Sequence, residues 1–302
     1  MADTRSDDRI ALVLEGGGMR GIYTAGVIDV LLEQGLDQRF YVVWGVSAGA
    51  TNASTVKARM IGRTCRDYLA FRDDDRFMSM KSFARTGNVA GAAFIYAGLQ
   101  YARDPLDFAT FNANPMRCMA VLSDVTFGTA AYLEISELPR DTERVRASAS
   151  LPVLSEIVEL EGHRYLDGGI CDSVPVEVAL GEQPGVGVPA DLPPADRAVV
   201  VLTQHRAYVK SHKYKLMPAA KLLYAGYPYF LEALETRGQR YNAQREHIWE
   251  LEDQGRAFVI APAHPVQLDV TESNGGKLLD LYIAGRQEAT MLLPQLRAFL
   301  GL

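Results

Sequence analysis

Three short glycine-containing segments of this 302-residue chain carry residues that can do chemistry. The first is Gly16-Gly17-Gly18-Met19-Arg20-Gly21. Glycines let backbone N–H groups approach a ligand closely, and a helix start favours negative charge, so such a loop can hold a phosphate or an oxyanion. The second is Gly45-Val46-Ser47-Ala48-Gly49, a G-x-S-x-G elbow in which small neighbours permit a sharp strand-to-helix turn that exposes the serine hydroxyl as a nucleophile. The third is Asp167-Gly168-Gly169. A serine nucleophile needs a base, and Asp167, with uncrowded backbone after it, is the best candidate.

Each segment has a plainer reading when taken alone. Asp-Gly-Gly commonly marks a turn. The first loop also satisfies the dinucleotide pattern G-x-G-x-x-G, which calls for an acidic residue at the end of the next strand to hold a ribose. That strand ends instead in Trp44-Gly45-Val46-Ser47.

The elements around the segments decide how they are read together. Ile10 to Leu14 is a short apolar run cut off by Glu15, and predicts a buried strand. A helix is expected from about Arg20 to Gln34, buried on more than one side, with Gly35 as its stop. Phe40 to Val46 predicts a second strand, and a helix follows to about Met60. In a strand–helix–strand–helix unit the two strands run parallel, so both glycine-containing loops leave the same edge of the sheet as neighbours. Further on, strands are expected at Arg117–Ser123, Thr129–Ile135 and Ala198–Thr203, with a hairpin from Val158 to Leu166 delivering Asp167. Gly181 to Asp196 reads as a surface loop. After it, helices are expected near Tyr229–Asp253 and Gly276–Phe299, the latter interrupted by Pro294.

With these motifs in this order, the sequence resembles the patatin-like phospholipase family over roughly residues 10 to 205, and its bacterial members in particular. The segment Ala147-Ser148-Ala149-Ser150-Leu151-Pro152 looks like the family's alanine/serine-rich stretch. The resemblance implies a three-layer α/β fold with a mainly parallel central sheet. It also implies a Ser47–Asp167 dyad acting without histidine, metal or organic cofactor. An oxyanion hole from the N–H groups of Gly16, Gly17 and Gly18 follows too, with Arg20 and Gly21 close by. Gly45 and Gly49 would shape the elbow, and Gly168 and Gly169 the base motif. Asp172-Ser173-Val174-Pro175 stands where many relatives carry asparagine before the proline. The expected division is a catalytic domain at 8–205 and a mainly helical C-terminal extension at 206–302.

A carboxylate is a weaker base than imidazole, so such a dyad suits esters better than amides. The expected activity is hydrolysis of lipid esters, phospholipid or lysophospholipid first, through an acyl-enzyme. A non-lipid carboxylesterase, a non-catalytic nucleotide-binding module and an inactive interaction protein stay open. So does a Ser-Asp-His hydrolase, since His205, His212, His247 and His264 follow Asp167 in the order that α/β-hydrolases use. However, those enzymes build several strands before the nucleophile, and here one strand precedes the one ending at Ser47.

Composition limits the partners. The net charge of -6 argues against non-specific nucleic-acid binding. Cys65, Cys118 and Cys171 form neither a disulfide framework nor metal-ligand spacing, which fits free, mostly buried thiols in a reducing, cytoplasmic setting. The residues ahead of Ile10 show no apolar leader segment. The stretch 206–230 mixes Arg206, Lys210, Lys213, Lys215 and Lys221 with aromatic and aliphatic residues, which suits a peripheral contact with an anionic membrane surface. The same pattern also fits a helix packed on the core with solvated lysines. Oligomeric state is not legible.

Overall fold

The computed structural model describes residues 8–269 and 271–302. The chain ahead of residue 8, part of the segment read as lacking a leader, lies outside the described residues. The chain opens with β1 (Ile10–Leu14), α1 (Gly21–Glu33), β2 (Phe40–Val46) and α2 (Ala48–Lys57). A long connection then carries α3 (Arg63–Phe71), α4 (Met80–Thr86), a π-helical segment (Phe94–Arg103) and α5 (Phe108–Ala113). β3 (Arg117–Asp124), β4 (Thr129–Glu134) and α6 (Thr142–Ser148) follow, then β5 (Val158–Leu160), β6 (His163–Asp167), α7 (Val176–Ala179) and β7 (Arg197–Val201). The last third holds α8 (Met217–Leu223), α9 (Pro228–Asp253), β8 (Ala257–Ile260), α10 (Gly275–Met291) and α11 (Leu293–Leu300).

Among the described residues, the eight strands form one sheet, ordered β5-β6-β3-β2-β1-β7-β8, with β4 paired to β3 off that path. β3, β2, β1, β7 and β8 are mutually parallel, while β4, β6 and β5 add antiparallel pairs at one end. The expected mainly parallel sheet is therefore present, with a mixed margin. β8 was not expected. Its four residues, Ala-Phe-Val-Ile, are too short a run to stand out between long helices, and α9 is the crossover that a parallel partner for β7 requires.

Side-chain alternation buries both faces. Ile10, Leu12 and Leu14 join one cluster with Tyr23 and Val27 of α1, Val56 of α2 and Ala289 of α10. Ala11 and Val13 point the other way, toward Val176 of α7 and Tyr241, Ile248 and Leu251 of α9. This is a three-layer arrangement, with helices on both sides of the sheet. α1 is buried almost along its whole length because α10 covers its outer side. The two helices touch backbone to backbone: a Cβ on Gly26 would fall 2.2 Å from the Tyr282 carbonyl oxygen, and one on Gly285 2.2 Å from that of Tyr23. Cys65 and Cys118 are buried, Cys171 is partly so, and all three are free thiols. Among the described residues no helix is long and apolar enough to cross a membrane.

Candidate active site

β1 and β2 lie side by side and parallel, so the loops that follow them meet. The approach is close enough to demand glycine. A Cβ on Gly16 would lie 2.6 Å from the Val46 carbonyl oxygen and 2.8 Å from Cβ of Ser47. Glycine is equally required at Gly49, where a Cβ would meet the Leu14 carbonyl oxygen at 2.3 Å. Ser47 itself has φ 57° and ψ −123°, a backbone conformation that costs a non-glycine residue about 1–3 kcal/mol and is kept where a strained turn serves a function. Its N–H donates to Ser148 Oγ at 3.0 Å, and Ser148 in turn donates to the Val121 carbonyl at 2.7 Å. The alanine/serine-rich segment thus holds the elbow from below.

Strand register brings the aspartate to the same place. β2 ends at Val46, opposite Val121 of β3, and the next residue of β3, Leu122, is opposite Asp167 of β6. β4 runs along the other side of β3 over these residues, so β6 takes up the side that β2 leaves. Asp167 is 2% exposed and Ser47 8%. Asp167 Oδ1 accepts from the Gly169 N–H at 2.8 Å. The Ser47 hydroxyl lies near enough to favour the ionised carboxylate. The two nevertheless fall short of hydrogen-bond geometry, and Asp167 Oδ2 is buried without a hydrogen-bond partner. Hydrogen bonds of a reacting pair often become well aligned only around substrate. Burial pushes the Asp167 pKa up, against the opposing pull of Ser47, the Arg237 guanidinium, the Gly169 N–H and the Lys210 amine.

The glycine loop lines the same cleft. Among the described residues, the N–H groups of Gly16, Gly17 and Gly18 donate to no acceptor in the protein, whereas Arg20 N–H closes a turn onto Gly17 O at 3.1 Å. Gly18 needs its positive φ of 56° to make that turn. Gly21 lets α1 close on Ala48 of the elbow helix, with Cβ-to-Cβ room of only 2.8 Å. Gly16→Ala is expected to cost about 1–3 kcal/mol of stability by overpacking and to displace Ser47, which thermal melts alongside turnover would register.

Ser47 stands between two open spaces. On one side is a mostly apolar cavity walled by Met19, Tyr68, Phe77, Ile95, Tyr96 and Leu99. Its one charged stretch is the buried pair of Arg63 and Asp67 at 3.3 Å, where burial raises the Asp67 pKa to about 6. On the other side is a wider cleft that also contains Asp167, the glycine loop, Arg20, Lys210 and Arg237. Arg20 lines this cleft with its Nε buried and unpartnered.

Several residues at the site were not singled out in the sequence. Glu15, at the end of β1, accepts from Thr203 N–H at 2.5 Å and from the Tyr241 hydroxyl at 2.6 Å, and Thr203 Oγ1 donates to the Gly16 carbonyl at 3.0 Å. α9 turns one polar face onto the site: Arg237 donates to Gly169 O at 2.6 Å, Arg240 to Ile170 O at 2.8 Å, and Gln244 to Asp172 Oδ1 at 2.7 Å. Asp172 also accepts from the Tyr132 hydroxyl at 2.8 Å, so both of its oxygens are engaged. A charged residue ending an apolar strand, as Glu15 does, was the available signal that a buried partner exists.

The histidines fall apart. His247 contacts Glu182 and Glu250, His163 contacts Asp124, and His264 is exposed. His205 packs edge-on against Tyr208. His212 lines the cleft, but hydrogen-bonds to neither Ser47 nor Asp167. Of the segment 206–230, only residues 217–223 form a short helix, α8, before α9 begins at Pro228. Lys210, Lys213 and Lys215 line the cleft, Tyr224 and Phe230 are buried, and Leu222, Leu223 and Tyr229 are exposed.

The family model for patatin-like phospholipase matches residues 12–180, more than half of the chain. The chain belongs to the patatin-like phospholipase family. A second model, a domain of unknown function (DUF6363), matches residues 227–301, which hold α9, β8, α10 and α11. The uncharacterized protein YjjU of Escherichia coli is 32% identical over 176 residues, 57% of this chain and 48% of its own length. An uncharacterized NTE family protein of Mycobacterium bovis is 27% identical over 191 residues, 62% of this chain and 48% of its own. The matched part of this patatin-like chain therefore spans about half the length of these curated relatives. VipD from Legionella pneumophila, a solved structure, overlays on 96% of this chain and 67% of its own with a TM-score of 0.46 and 13% identity, too slight a likeness to carry a conclusion.

Proposed function

We propose that this chain is a serine acyl-ester hydrolase acting on lipid esters, phospholipid or lysophospholipid, with Ser47 as nucleophile and Asp167 as base. The observation that carries the reading is the place of Ser47: beside a buried carboxylate with a free oxygen, beside three unengaged N–H groups, and at the junction of an apolar cavity with a polar cleft. The acyl chain occupies the apolar cavity and the alcohol part of the ester lies in the cleft. Ser47 Oγ attacks the carbonyl carbon as its proton passes to Asp167. The tetrahedral oxyanion is met by N–H groups of Gly16, Gly17 and Gly18, placed before charge develops. Collapse expels the alcohol, which takes the proton back, and leaves acyl-Ser47. Water, giving a proton to Asp167, attacks the acyl carbon; the second tetrahedral intermediate collapses, Ser47 Oγ leaves and takes that proton back, and the acid is released.

In this reading the catalytic unit is 8–205, and the extension 206–302 closes the cleft through α9 and the segment ahead of α8. Exposed Leu222, Leu223 and Tyr229, with Phe127 exposed on the turn next to Tyr229, support a peripheral membrane contact near this end. Arg237 acts as a positioning residue, holding the Gly169 carbonyl and favouring the ionised form of Asp167. Arg237→Ala is expected to move the rising limb of the kcat/KM–pH profile to higher pH, and Arg237→Lys to keep it in place; a purely structural role would lower the rate without moving the limb.

The experiment is turnover of a panel of carboxylic esters by the wild type, Ser47→Ala and His212→Ala. Turnover that disappears in Ser47→Ala and persists within about threefold in His212→Ala is expected. Equal loss in both would replace the dyad by a histidine-assisted site.

A further inference from the structure

The chain as a whole is acidic, with 37 Asp and Glu against 31 Lys and Arg, yet the cleft beside Ser47 is cationic. Lys210, Lys213, Lys215, Arg237 and Arg20 line it, against the carboxylates of Glu15 and Asp167. Glu15 is already occupied by Thr203 and Tyr241. Among the described residues, Lys81, Lys221 and Lys277 are ion-paired and Lys57 lies over the Phe111 ring, whereas Lys210, Lys213 and Lys215 have no carboxylate partner. Three lysines without a carboxylate partner thus line one cleft within six residues, Lys210 partly buried and Lys213 and Lys215 exposed at its rim.

The segment that carries them is held in place. Lys210 N–H donates to Asn242 Oδ1 at 2.8 Å, and Asn242 Nδ2 donates back to Lys210 O at 3.0 Å. Gly238 of α9 lets the chain cross closely, since a Cβ there would sit 2.5 Å from the Ser211 carbonyl oxygen. Tyr214 donates to Pro152 O at 3.2 Å, which ties the far end across the cleft to the elbow side. The Lys210 ammonium rests 3.8 Å from the centroid of the Tyr241 ring. Burial, and after it the Arg237 and Arg20 guanidinium groups, push the Lys210 pKa well down, against the opposing pull of Glu15 and Asp167. An anion placed beside it favours the charged amine.

We propose that the strap 205–216 is an anion subsite, in which Lys210, Lys213 and Lys215 engage a phosphate on the alcohol side of the scissile ester. The preferred substrates are then acyl esters of net negative charge, anionic phospholipids or lysophospholipids, over esters of neutral alcohols. This rests on the reading of Ser47 as an ester-cleaving nucleophile: the apolar cavity fixes the acyl end, which leaves the alcohol end to the strap.

The test uses three esters of one acyl chain, lysophosphatidic acid, lysophosphatidylcholine and monoacylglycerol, in micelles of one neutral detergent. The wild type is expected to favour the anionic ester in kcat/KM by about tenfold or more, as one or two charge-assisted hydrogen bonds provide. In Lys210→Gln/Lys213→Gln/Lys215→Gln that ratio falls toward one, chiefly through KM, and in the milder Lys213→Gln/Lys215→Gln it falls part-way. Hydrolysis of all three esters with one unchanged ratio in every variant overturns the subsite and leaves ester hydrolysis standing. Absence of turnover on any ester overturns the activity instead. The subsite is then judged by calorimetry with Ser47→Ala: saturable binding of lysophosphatidic acid, weakened in the lysine variants, upholds it, and no saturable binding overturns it. Inorganic phosphate binding as tightly as the lipid would overturn the headgroup assignment in favour of a soluble anion.

Discussion

Replacing Ser47 by alanine is expected to lower kcat/KM on an acyl ester by about 10³- to 10⁶-fold, the range over which removal of a serine nucleophile acts in other hydrolases. The variant keeps the N–H donors of the glycine loop and both binding spaces, so KM should move far less than kcat. It also keeps the strained backbone, because alanine at φ 57° is no more comfortable than serine. Ser47→Gly separates the two effects. It should be equally inactive, yet more stable by about 1 kcal/mol, since glycine adopts this conformation freely. Steady-state kinetics with thermal melts on the same samples checks both. A Ser47→Gly protein that melts lower than Ser47→Ala would mean the elbow is not strained.

Asp167→Asn has the second large effect, an expected loss of about 10⁴-fold in kcat, because the amide cannot accept the Ser47 proton while filling the same space. The sign of its effect on stability is opposite. The Asp167 pKa is raised by burial in the folded chain, so folding takes up a proton between the unfolded and folded values. Stability from this group is full below the unfolded pKa and is lost as pH rises through the folded one. Above its unfolded pKa the buried carboxyl therefore costs stability, and Asp167→Asn should melt higher than wild type at neutral pH, with the gap closing toward about pH 4. In the wild type the same ionisation should appear as the rising limb of kcat/KM. A less stable, inactive Asp167→Asn at neutral pH would instead assign Asp167 a scaffolding role through the charge-assisted bond its carboxylate accepts from the Gly169 N–H.

The neighbourhood of the first two motifs was legible from local pattern, because β1 and β2 are buried strands joined by a single helix, and parallel pairing leaves their loops one place to go. Asp167 was less so. Its position depends on β6 continuing the edge of β3 where β2 stops, a register spanning more than a hundred residues that no local periodicity encodes. The α9 side chains at the site were not legible either. Arg237, Arg240, Tyr241 and Gln244 share a face by ordinary helical spacing, but a polar face reads as solvated until the backbone carbonyls of Gly169 and Ile170 are placed against it. The basic-aromatic stretch 206–230 was legible as composition but not as geometry. Its aromatic residues are divided between core and surface, and its lysines at 210, 213 and 215 turn toward the cleft because Asn242 and Gly238 hold the chain there. The helical segments between α2 and β3, which wall the apolar cavity, carried too many interruptions to be expected as elements.

The central claim is that Ser47 is an activated nucleophile served by Asp167, and reaction with a fluorophosphonate ester followed by peptide mass spectrometry tests it most directly. One adduct on Ser47 is expected in the wild type, none in Ser47→Ala, and a rate slowed by orders of magnitude in Asp167→Asn. An adduct on any other residue, or undiminished labelling of Ser47 in Asp167→Asn, would contradict it.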